Sequence, residues 1–500
     1  MSALRSRTLT VLVLAATLVP TGSFAEPSVD TKPTPLRKPS PATVRNLEER
    51  IPQLLVAATV PGISVALIRD GKTYWVHSFG ARNAKTGQPV TENTIFEAAS
   101  LSKPVFAYGV LKLVDEGKLD LDAPLSRYLP KPYIEGDPRL NQITTRIVLS
   151  HRTGFPNWRG DHPLAIHFTP GERFSYSGEG FVYLQKVVEQ ITGKPLNDYM
   201  TEAVFKPLGM ASSSYVWRSD FDARTALPHD AAGQPGDKFK PDDSNAASSL
   251  HTTARDYALF MEALLAGNGL KPQTLHAMET PQIAVDPSCR NCTEQTPKQL
   301  SRTVLWGLGI GIQQTAQGES LWHWGDNGSF KCYVVAYPKQ KIGAVFFMDG
   351  ENGLGIVPEL LRISIGGDQP AAHWIDYDAY DSPAMQFAKM AREKGASAAV
   401  EAFRPSLMRG DIPESSINST GYQLLWSKKN ADAVRVFQLN VELHPESANA
   451  YDSLGEACMA SGEKELAIQN YEKSLKMNPG NTNATEMLKK LRSEASSSTP

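Results

Sequence analysis

The feature that most constrains the fold of this 500-residue chain is a repetition near its C-terminal end, with a period of 34 residues. Similar residues recur at this spacing, namely Gly421 and Gly455, Ala433 and Ala467, Phe437 and Tyr471, and Pro445 and Pro479. A unit of this length cannot bury its apolar face alone, so consecutive units must stack on one another. The period predicts pairs of helices that approach closely at the small residues, with an aromatic side chain beside them.

The pattern resembles the tetratricopeptide repeat, which has this period and a helix-ending proline. One more step towards the N terminus reaches Ala399 and Phe403, and a first copy there lacks the glycine and the proline. Such a copy suits a capping repeat or a connector. The alternative is an unrelated helical bundle. We predict a helical connector with a degenerate repeat over 368–415, tetratricopeptide repeats over 416–490 and a disordered tail over 491–500.

The N-terminal end has the features of a secretory signal peptide over residues 1–25. Arg5 and Arg7 precede an apolar run, and small residues surround the cleavage position after Ala25. The run is shorter than the roughly 20 residues of a membrane-spanning helix, which makes a permanent anchor the weaker alternative. A Pro-rich linker follows over 26–41. We expect an exported protein, periplasmic or secreted, with no membrane anchor after cleavage.

The central part of the chain, over 42–367, has the pattern of an α/β domain. A long apolar helix is predicted after Ser100, ending at Gly117. Strands lie at both ends of the domain, so its sheet is expected to be assembled from the two ends of the domain. The predicted strands are 62–68, 73–76 and 342–348, with an Asp70-Gly71 hairpin turn between the first two.

Charge and cysteine content limit the classes of partner and scaffold. The chain has 51 Lys and Arg against 53 Asp and Glu, which argues against a nucleic-acid surface. Its four cysteines are too few for a disulfide-built scaffold. Cys289 and Cys292 lie in a polar loop, where a local disulfide is favoured over a zinc site or a redox pair. Cys332 and Cys458 are expected to be buried and unpaired. We expect no metal and no cofactor.

Ser100 and Lys103 form a Ser-x-x-Lys motif at the head of the predicted helix. A nucleophilic serine must lose its proton, and a lysine one helical turn away lies on the same face. The motif alone is a weak signal, because Ser461 and Lys464 have the same spacing in a repeat turn.

Two further motifs contain residues that suit acyl transfer. Tyr176 could share a proton with a lysine and act as a general base, and Gly178 follows it closely. His323 precedes Gly325 and Asp326 in a His-x-Gly sequence, where the small residue would let backbone N–H groups reach an oxyanion. Taken singly, a turn tyrosine and a structural histidine are the simpler interpretations.

Together the three motifs resemble the serine β-lactamase and penicillin-binding protein superfamily in order and spacing. The resemblance is to the class C-like branch, which includes family VIII esterases and D-aminopeptidase-like peptidases. It implies an antiparallel sheet flanked by helices, with a helical subdomain. Supporting stretches are residues 96–100, 119–124 and 147–154.

The resemblance implies a role for each motif residue. Ser100 would be the nucleophile, Lys103 its proton partner and Tyr176 the general base. The backbone N–H groups of Ser100 and Asp326 would form the oxyanion hole. His151 lies in a loop typical of the family and is interpreted as structural.

Two positions depart from the family pattern. Gly178 stands where an asparagine usually contacts a substrate amide, and His323, before Gly325, stands where β-lactamases have a lysine. A neutral imidazole gives a weaker anion site than a lysine. Both departures favour esters, amides or D-amino-acid peptides over β-lactams.

The leading hypothesis is an exported serine hydrolase that cleaves ester or amide bonds through an acyl-enzyme on Ser100. Its substrate would be a small molecule or a short peptide, and the repeats would bind a protein or peptide partner. One alternative is a D,D-carboxypeptidase or β-lactamase acting on cell-wall peptides or β-lactams. Another is a non-catalytic binding module that uses the repeats.

Overall fold

The structure is a computed structural model that describes residues 35–294, 296–297 and 299–496. The predicted signal peptide 1–25, linker residues 26–34 and tail residues 497–500 lie outside the described residues. Within these ranges no helix is both long enough and apolar enough to cross a membrane.

The described helices and strands alternate over the first three quarters of the chain, and helices alone follow. The helices are α1 Pro41–Ala58, α2 Ser102–Asp115, α3 Thr145–Leu149, α4 Gly178–Thr192, α5 Leu196–Met200, α6 Lys206–Leu208, α7 Ala254–Ala266, α8 Pro272–Glu279, α9 Val357–Ser364, α10 Pro370–Trp374, α11 Pro383–Lys394, α12 Ala396–Arg409, α13 Glu414–Trp426, α14 Asn430–Leu443, α15 Ala448–Ala460, α16 Lys464–Met477 and α17 Thr482–Ser496. The strands are β1 Gly62–Arg69, β2 Lys72–Asn83, β3 Gln88–Pro89, β4 Phe96–Glu97, β5 His251–Thr252, β6 Ile283–Ala284, β7 Val304–Trp306, β8 Gly311–Thr315, β9 Gly318–Asp326, β10 Lys331–Tyr337 and β11 Ile342–Met348. Short 3₁₀ turns lie at Ala99–Leu101, Leu125–Tyr128, Pro138–Gln142, Ser219–Phe221 and Gly353–Ile356, and a π turn lies at Thr201–Phe205.

One antiparallel sheet of nine strands forms the centre of the molecule, in the order β3-β2-β1-β11-β10-β9-β8-β7-β6. β1 pairs with β11, so that Ile63 lies opposite Met348 and Ile68 lies opposite Gly343. This pairing joins the two ends of the domain, as predicted from the strands at 62–68 and 342–348.

The hairpin between β1 and β2 turns at Asp70 and Gly71, as predicted. Both residues have positive φ, 58° and 74°, as the two central residues of a type I′ hairpin turn require. Glycine adopts this conformation without strain, and aspartate tolerates it better than most residues do.

Helices cover both faces of the sheet. Along β1, Ile63, Val65 and Leu67 belong to one core, which α1, α9 and α10 complete. Ala66 and Ile68 belong to the other core, which α2, α4 and α7 complete. Alternation of side chains along the strand therefore fills two separate cores, and the predicted antiparallel sheet flanked by helices is confirmed.

Packing in this part of the molecule continues beyond residue 367, where the domain was expected to end. Trp374 and Ile375 are buried in the same core as β1 and β11. The Trp374 indole donates from Nε1 to the carbonyl oxygen of Asp286 at 2.8 Å. α10 is thus part of the sheet's own core, although the sequence analysis placed it in the connector.

Helices α11 to α17 have a hydrophobic core of their own. A Cβ atom added to Gly421 would lie 2.6 Å from the ring of Phe437, and one added to Gly455 would lie 3.0 Å from the ring of Tyr471. Each glycine therefore allows the aromatic residue of the next helix to pack closely, as expected from the repetition. The C-terminal segment is all-helical.

The helical segment extends further than expected at its end. Residues 491–496 belong to α17, whereas the sequence analysis placed them in a disordered tail. Leu488 and Leu491 are buried in the helical core, and this burial supplies the free energy that orders the last helix.

Candidate active site

Ser100 lies in the 3₁₀ turn before α2, within residues 98–102, which we call the nucleophile turn after the role predicted for Ser100. Ala99 has a left-handed φ of 49°, uncommon for a residue with a side chain. Ser102 stabilises this conformation, because its Oγ donates to Ala99 O at 2.6 Å and accepts from Leu250 N at 3.0 Å. Surrounding bonds thus hold Ser100 in a strained turn, as is common at functional sites.

Lys103 contacts Ser100 directly. Its Nζ lies 3.0 Å from Ser100 Oγ and donates to Ala247 O at 2.8 Å. The side chain is fully buried, and no carboxylate of the described residues pairs with it. Burial therefore lowers the pKa of Lys103 well below its usual value. The residue can be a neutral amine with a lone pair beside the serine hydroxyl.

Tyr176 lies beside this lysine, with its ring centre 4.8 Å from Lys103 Nζ. The next residue, Ser177, caps α4 by accepting from Gly180 N at 3.0 Å, which places the tyrosine at the head of that helix. Burial raises the pKa of Tyr176, and the nearby Ser100 hydroxyl lowers it in part. The tyrosine oxygen has no hydrogen bond of acceptable geometry among the described residues, so burial dominates and the phenol is neutral at rest.

His323 is completely buried on β9, and its ring centre lies 6.1 Å from that of Tyr176. Its Nδ1 faces the carbonyl oxygen of Trp324 at 2.7 Å, which assigns the proton to that nitrogen. Burial, reinforced by Lys103, lowers the pKa of His323 to about 3. The imidazole is therefore neutral near pH 7 and supplies no cation.

His151 supports the tyrosine from its other side. The two rings stack with their centres 4.2 Å apart, and His151 Nδ1 accepts from Ser177 N at 3.0 Å. Burial lowers the pKa of His151 well below its usual value. These contacts agree with a structural interpretation of this residue.

Gly325 allows β9 to run directly against the nucleophile turn. A Cβ atom at this position would lie 2.6 Å from Ala98 O and 3.2 Å from the Cβ of Ala99. Any side chain would therefore push the strand away from the turn. Asp326 follows as the last residue of β9, so the structure brings its backbone next to the turn that carries Ser100.

Gly178 leaves space that an aromatic side chain occupies. A Cβ atom at this position would lie 2.6 Å from the indole of Trp158. The neighbouring Asn157 accepts from Gly178 N at 3.0 Å through its side chain, which fixes this loop on the start of α4. Trp158 is 47% exposed, an unusual state for a large aromatic residue. The sequence analysis missed this residue.

Tyr377 and Arg290 are two further residues beside the site that the sequence analysis missed. Tyr377 Oη donates to a carboxylate oxygen of Asp326, whose other oxygen pairs with Lys331 Nζ at 2.6 Å. Arg290 accepts at its carbonyl oxygen from Tyr176 N at 2.8 Å. Tyr377 had been placed in the connector, and the only sequence signal at Arg290 was the pair of flanking cysteines.

Those cysteines, Cys289 and Cys292, are joined by a disulfide, as predicted, with Cα atoms 5.8 Å apart. Cys332 and Cys458 are free and buried, also as predicted. The disulfide closes the loop that carries Arg290.

Comparison with known families gives one match that covers most of the chain. The family model described as Beta-lactamase matches residues 44–362. This range contains the three motifs and the whole nine-stranded sheet.

Curated relatives align over parts of the same region. A penicillin-binding protein of Bacillus subtilis is 29% identical over 169 residues, which are 29% of this chain and 36% of that protein. Protein flp of Staphylococcus aureus is 22% identical and aligned over 57% of this chain and 59% of its own length. Protein Rv1367c of Mycobacterium tuberculosis is 27% identical over 55% of this chain and 80% of its own length. The chain thus spans only about a third to three fifths of the first two relatives.

Two solved structures share the fold. A penicillin-binding protein homologue from Pyrococcus abyssi, described as octameric, superposes with a TM-score of 0.53 and 23% identity, covering 70% of this chain and 81% of that one. AmpC from Burkholderia cenocepacia, described as a D-alanine carboxypeptidase, superposes with a TM-score of 0.54 and 19% identity, covering 64% of this chain and 98% of that one.

Proposed function

Because the family match takes in more than half of the chain, this protein belongs to the beta-lactamase family, and from that premise we propose that it is a serine hydrolase cleaving ester or amide bonds through an acyl-enzyme on Ser100. One observation carries the proposal. A fully buried lysine without a carboxylate partner lies with its Nζ 3.0 Å from Ser100 Oγ. Such a lysine costs stability in a structural role, whereas it is useful as a base.

In the acylation step, Lys103 Nζ accepts the proton of Ser100 as Oγ attacks the substrate carbonyl carbon. The carbonyl π electrons move to oxygen, where the backbone N–H groups of Ser100 and Asp326 bind the oxyanion. When the intermediate collapses, the Tyr176 phenol gives its proton to the leaving group and regains one from Lys103. The family resemblance implies Tyr176 as the base, but burial disfavours its phenolate and favours a neutral Lys103, so we assign that role to Lys103.

In the deacylation step, water attacks the acyl carbon and its proton passes to Lys103, directly or through Tyr176. The bond between the acyl carbon and Ser100 Oγ then breaks, and Lys103 returns its proton to Oγ. The free acid leaves and the resting enzyme is regenerated. Both steps use the same three side chains. Removal of any one of them should therefore abolish most of the activity.

The substrate class follows from the two departures at the site. His323 is neutral, and the space for a side chain at position 178 is filled by Trp158. The family pattern has a lysine at position 323 and an asparagine at position 178, so this site lacks both side chains that the pattern associates with β-lactamases. We therefore propose an esterase or a D-amino-acid-type peptidase of the class C-like branch, close to family VIII esterases.

A second candidate is a D,D-carboxypeptidase or β-lactamase. The observation that favours it is Arg290, whose carbonyl oxygen accepts from Tyr176 N at 2.8 Å and whose guanidinium carbon, 5.4 Å from the ring centre of Tyr377, belongs to a cation that could bind the carboxylate of a peptide or a β-lactam. The third reading, a non-catalytic binding module, is weakened by the joint presence of Ser100, Lys103 and Tyr176 in contact with one another.

The two ends of the chain suggest export and a second, helical part beside the hydrolase domain. We propose that 1–25 is a signal peptide, which places the enzyme in the periplasm or outside the cell. We also propose that the helix pairs of the C-terminal segment are tetratricopeptide repeats that bind a protein or peptide partner. The packing of Phe437 on Gly421 and of Tyr471 on Gly455 supports that assignment.

Ser100→Ala tests the proposal. We expect hydrolysis of short p-nitrophenyl esters to fall by at least about a thousandfold, since the nucleophile is removed from a cooperating set. Initial rates measure the loss, and intact mass of wild-type protein mixed with substrate or a fluorophosphonate detects the serine adduct. Lys103→Ala and Tyr176→Phe should show losses of similar scale.

Ser461→Ala is the matched control. Ser461 has the same Ser-x-x-Lys spacing to Lys464 but lies between α15 and α16, away from the sheet. It should retain wild-type rates. Undiminished turnover by a folded Ser100→Ala variant would overturn the assignment of the nucleophile.

A further inference from the structure

Tyr377 connects the end of β9 to a part of the chain that the family match does not include. It follows α10 and lies beyond residue 362, where the match ends. Its Oη donates to one carboxylate oxygen of Asp326, which has no other hydrogen-bond donor among the described residues. The second oxygen accepts from Lys331 Nζ at 2.6 Å and from Gly328 N at 2.8 Å. Removal of the Tyr377 hydroxyl would therefore leave half of this carboxylate without a donor.

The carboxylate of Asp326 belongs to a residue that is proposed to stabilise a negative charge. The backbone N–H of Asp326 is one of the two proposed donors to the oxyanion. A carboxylate without donors would oppose that charge by repulsion, whereas three donors disperse its charge and hold the side chain in one conformation. A backbone donor acts most strongly when it is fixed before the reaction begins. The hydrogen bond from Tyr377 serves both purposes.

The phenol of Tyr377 also lies close to Tyr176. Burial raises the pKa of Tyr176, the Ser100 hydroxyl opposes this rise, and Tyr377 adds to it. Burial likewise raises the pKa of Tyr377, and Asp326 adds to that rise, so the phenol keeps its proton near pH 7. Because this single proton is donated to Asp326, Tyr377 acts on the site through Asp326 and is not a donor to the substrate.

Contacts from two parts of the molecule hold Tyr377 in this position. Lys331 Nζ and the guanidinium carbon of Arg290 lie 5.3 and 5.4 Å from the centre of its ring, within the range of cation–π attraction. One residue further on, Asp378 accepts from Ser416 Oγ of α13 at 2.8 Å. The helical segment therefore contacts the same short stretch of chain that reaches the end of β9.

We propose that Tyr377 is a positioning residue for the oxyanion hole, which fixes the Asp326 side chain and with it the end of β9 in the geometry that stabilises the transition state. This inference rests on the proposed hydrolase function and adds to that site a residue from outside the matched domain. It predicts an effect on the transition state and none on substrate binding, because the oxyanion forms only as Ser100 attacks.

Tyr377→Phe tests the inference, because it removes the hydroxyl and keeps the ring. With a short p-nitrophenyl ester, kcat should fall about ten- to a hundredfold, up to the loss of one oxyanion donor, while KM stays within about twofold of wild type. Affinity for an arylboronic acid should fall by about the same factor as kcat/KM. Its boron bonds to Ser100 Oγ as the serine proton passes to Lys103, and the resulting tetrahedral anion resembles the transition state.

A double-mutant cycle separates this role from a structural one. Asp326→Ala removes the acceptor of the Tyr377 hydroxyl but keeps the backbone N–H. In that background Tyr377→Phe should lower kcat less than about threefold, because the two side chains act as a pair. Thermal unfolding of each variant checks that the fold is kept.

Tyr380→Phe is the matched control, since Tyr380 lies in the same stretch and its hydroxyl accepts one hydrogen bond, from Arg50 Nη2 of α1 at 2.9 Å. It should keep wild-type kcat and boronate affinity. Unchanged kcat and boronate affinity in Tyr377→Phe, a rise in KM in place of a fall in kcat, or an equal loss with and without the Asp326 side chain would each overturn the inference, while Ser100-dependent ester hydrolysis would still support the proposed function. Absence of any Ser100-dependent hydrolysis by the wild type would overturn the proposed function itself.

Discussion

Burial shifts the pKa of two titratable residues near the proposed nucleophile, Ser100, in opposite directions. Lys103 loses a positive charge and thereby gains the lone pair that a base needs. Glu97, three residues before Ser100, is also buried, and burial raises its pKa to about 7, so the carboxyl is only partly ionised at neutral pH. Burial of both side chains costs stability at neutral pH, since the unfolded chain would leave each of them charged and hydrated.

Glu97→Gln should reduce the pH dependence of stability. Glu97 is 6% exposed, and its carboxyl accepts from Asn327 Nδ2 at 2.9 Å. Burial raises its pKa from 4.5 to about 7. Between these values the unfolded chain releases the proton while the folded chain retains it, so the free energy of unfolding falls as pH rises. The shift corresponds to a loss of up to about 3 kcal/mol that is complete above pH 7.

Glutamine cannot ionise and its side-chain oxygen still accepts from Asn327, so Glu97→Gln should lose less stability than wild type between pH 5 and pH 8. Urea unfolding at the two pH values measures the difference. Glu48→Gln, at an exposed position of α1, is the control and should follow the wild type. Equal pH dependence in Glu97→Gln and wild type would show that Glu97 is ionised in the folded protein.

At the scale of elements, the site depends on how closely β9 approaches the nucleophile turn. Gly325 lies opposite Cys332 of β10 and faces Ala98 and Ala99 without a side chain between them. The strand therefore carries Asp326 to the turn and fixes both proposed oxyanion donors relative to each other. Preorganised donors of this kind contribute strongly to acyl transfer because they need no rearrangement during the reaction.

Gly325→Ala should separate these elements. The added Cβ would meet a backbone oxygen at 2.6 Å, which cannot move aside as a flexible side chain can. We expect a loss of about 1–3 kcal/mol in stability, typical of overpacking, and a larger relative loss of esterase kcat, about a hundredfold or more if one oxyanion donor is misplaced. Thermal unfolding and initial rates measure the two effects.

Gly236→Ala is the control for that substitution. Gly236 has ordinary contact distances around an added Cβ, 3.6 Å from Pro228 at the nearest, and no positive φ. It should keep wild-type rates and stability. Normal kcat in Gly325→Ala would mean that β9 does not supply a donor to the oxyanion.

At the scale of the whole molecule, helices α11 to α17 contact the part of the chain that contains the nine-stranded sheet through polar groups. Lys389 of α11 donates to the carbonyl oxygens of Val56 and Ala57 at 3.2 and 3.1 Å. Gln423 of α13 donates to Glu351 at 3.3 Å. The two parts nevertheless have separate hydrophobic cores, so each should keep its fold largely without the other.

Two truncations locate the boundary between these parts. A chain ending after residue 381 keeps Trp374, Tyr377 and the bond from Arg50 Nη2 to Tyr380 Oη at 2.9 Å. It should remain folded and retain most of the esterase activity. A chain ending after residue 367 lacks these side chains and should lose both its cooperative unfolding and its activity.

Circular dichroism with thermal unfolding, and p-nitrophenyl ester rates, measure the outcome in parallel. The intact wild-type chain is the reference for both measurements. Full activity in the chain that ends after 367 would show that the packing of Trp374 and Tyr377 contributes nothing to the site.

Several parts of this molecule could be predicted because their causes lie close together in the sequence. The Asp70-Gly71 turn follows from the φ values that these residues tolerate. The paired helices follow from small and aromatic residues that recur every 34 positions. Ser100 and Lys103 lie one helical turn apart, so their contact follows from helix geometry. Secondary structure, motifs and fold class were therefore within reach of the sequence alone.

Other features depended on which distant segments the folded sheet and its flanking loops bring together. Arg290 lies beside Tyr176, Tyr377 beside Asp326, and Trp158 over Gly178, and none of these pairs has a local pattern that predicts it. Such contacts are set by strand order, loop paths and the packing of α10 against the sheet, which are long-range properties. The sequence alone determined the elements and the spacing of Ser100 and Lys103, on which the proposed chemistry rests, whereas only the tertiary structure decided the charge around them, because that charge depends on burial and on neighbours far away in the chain.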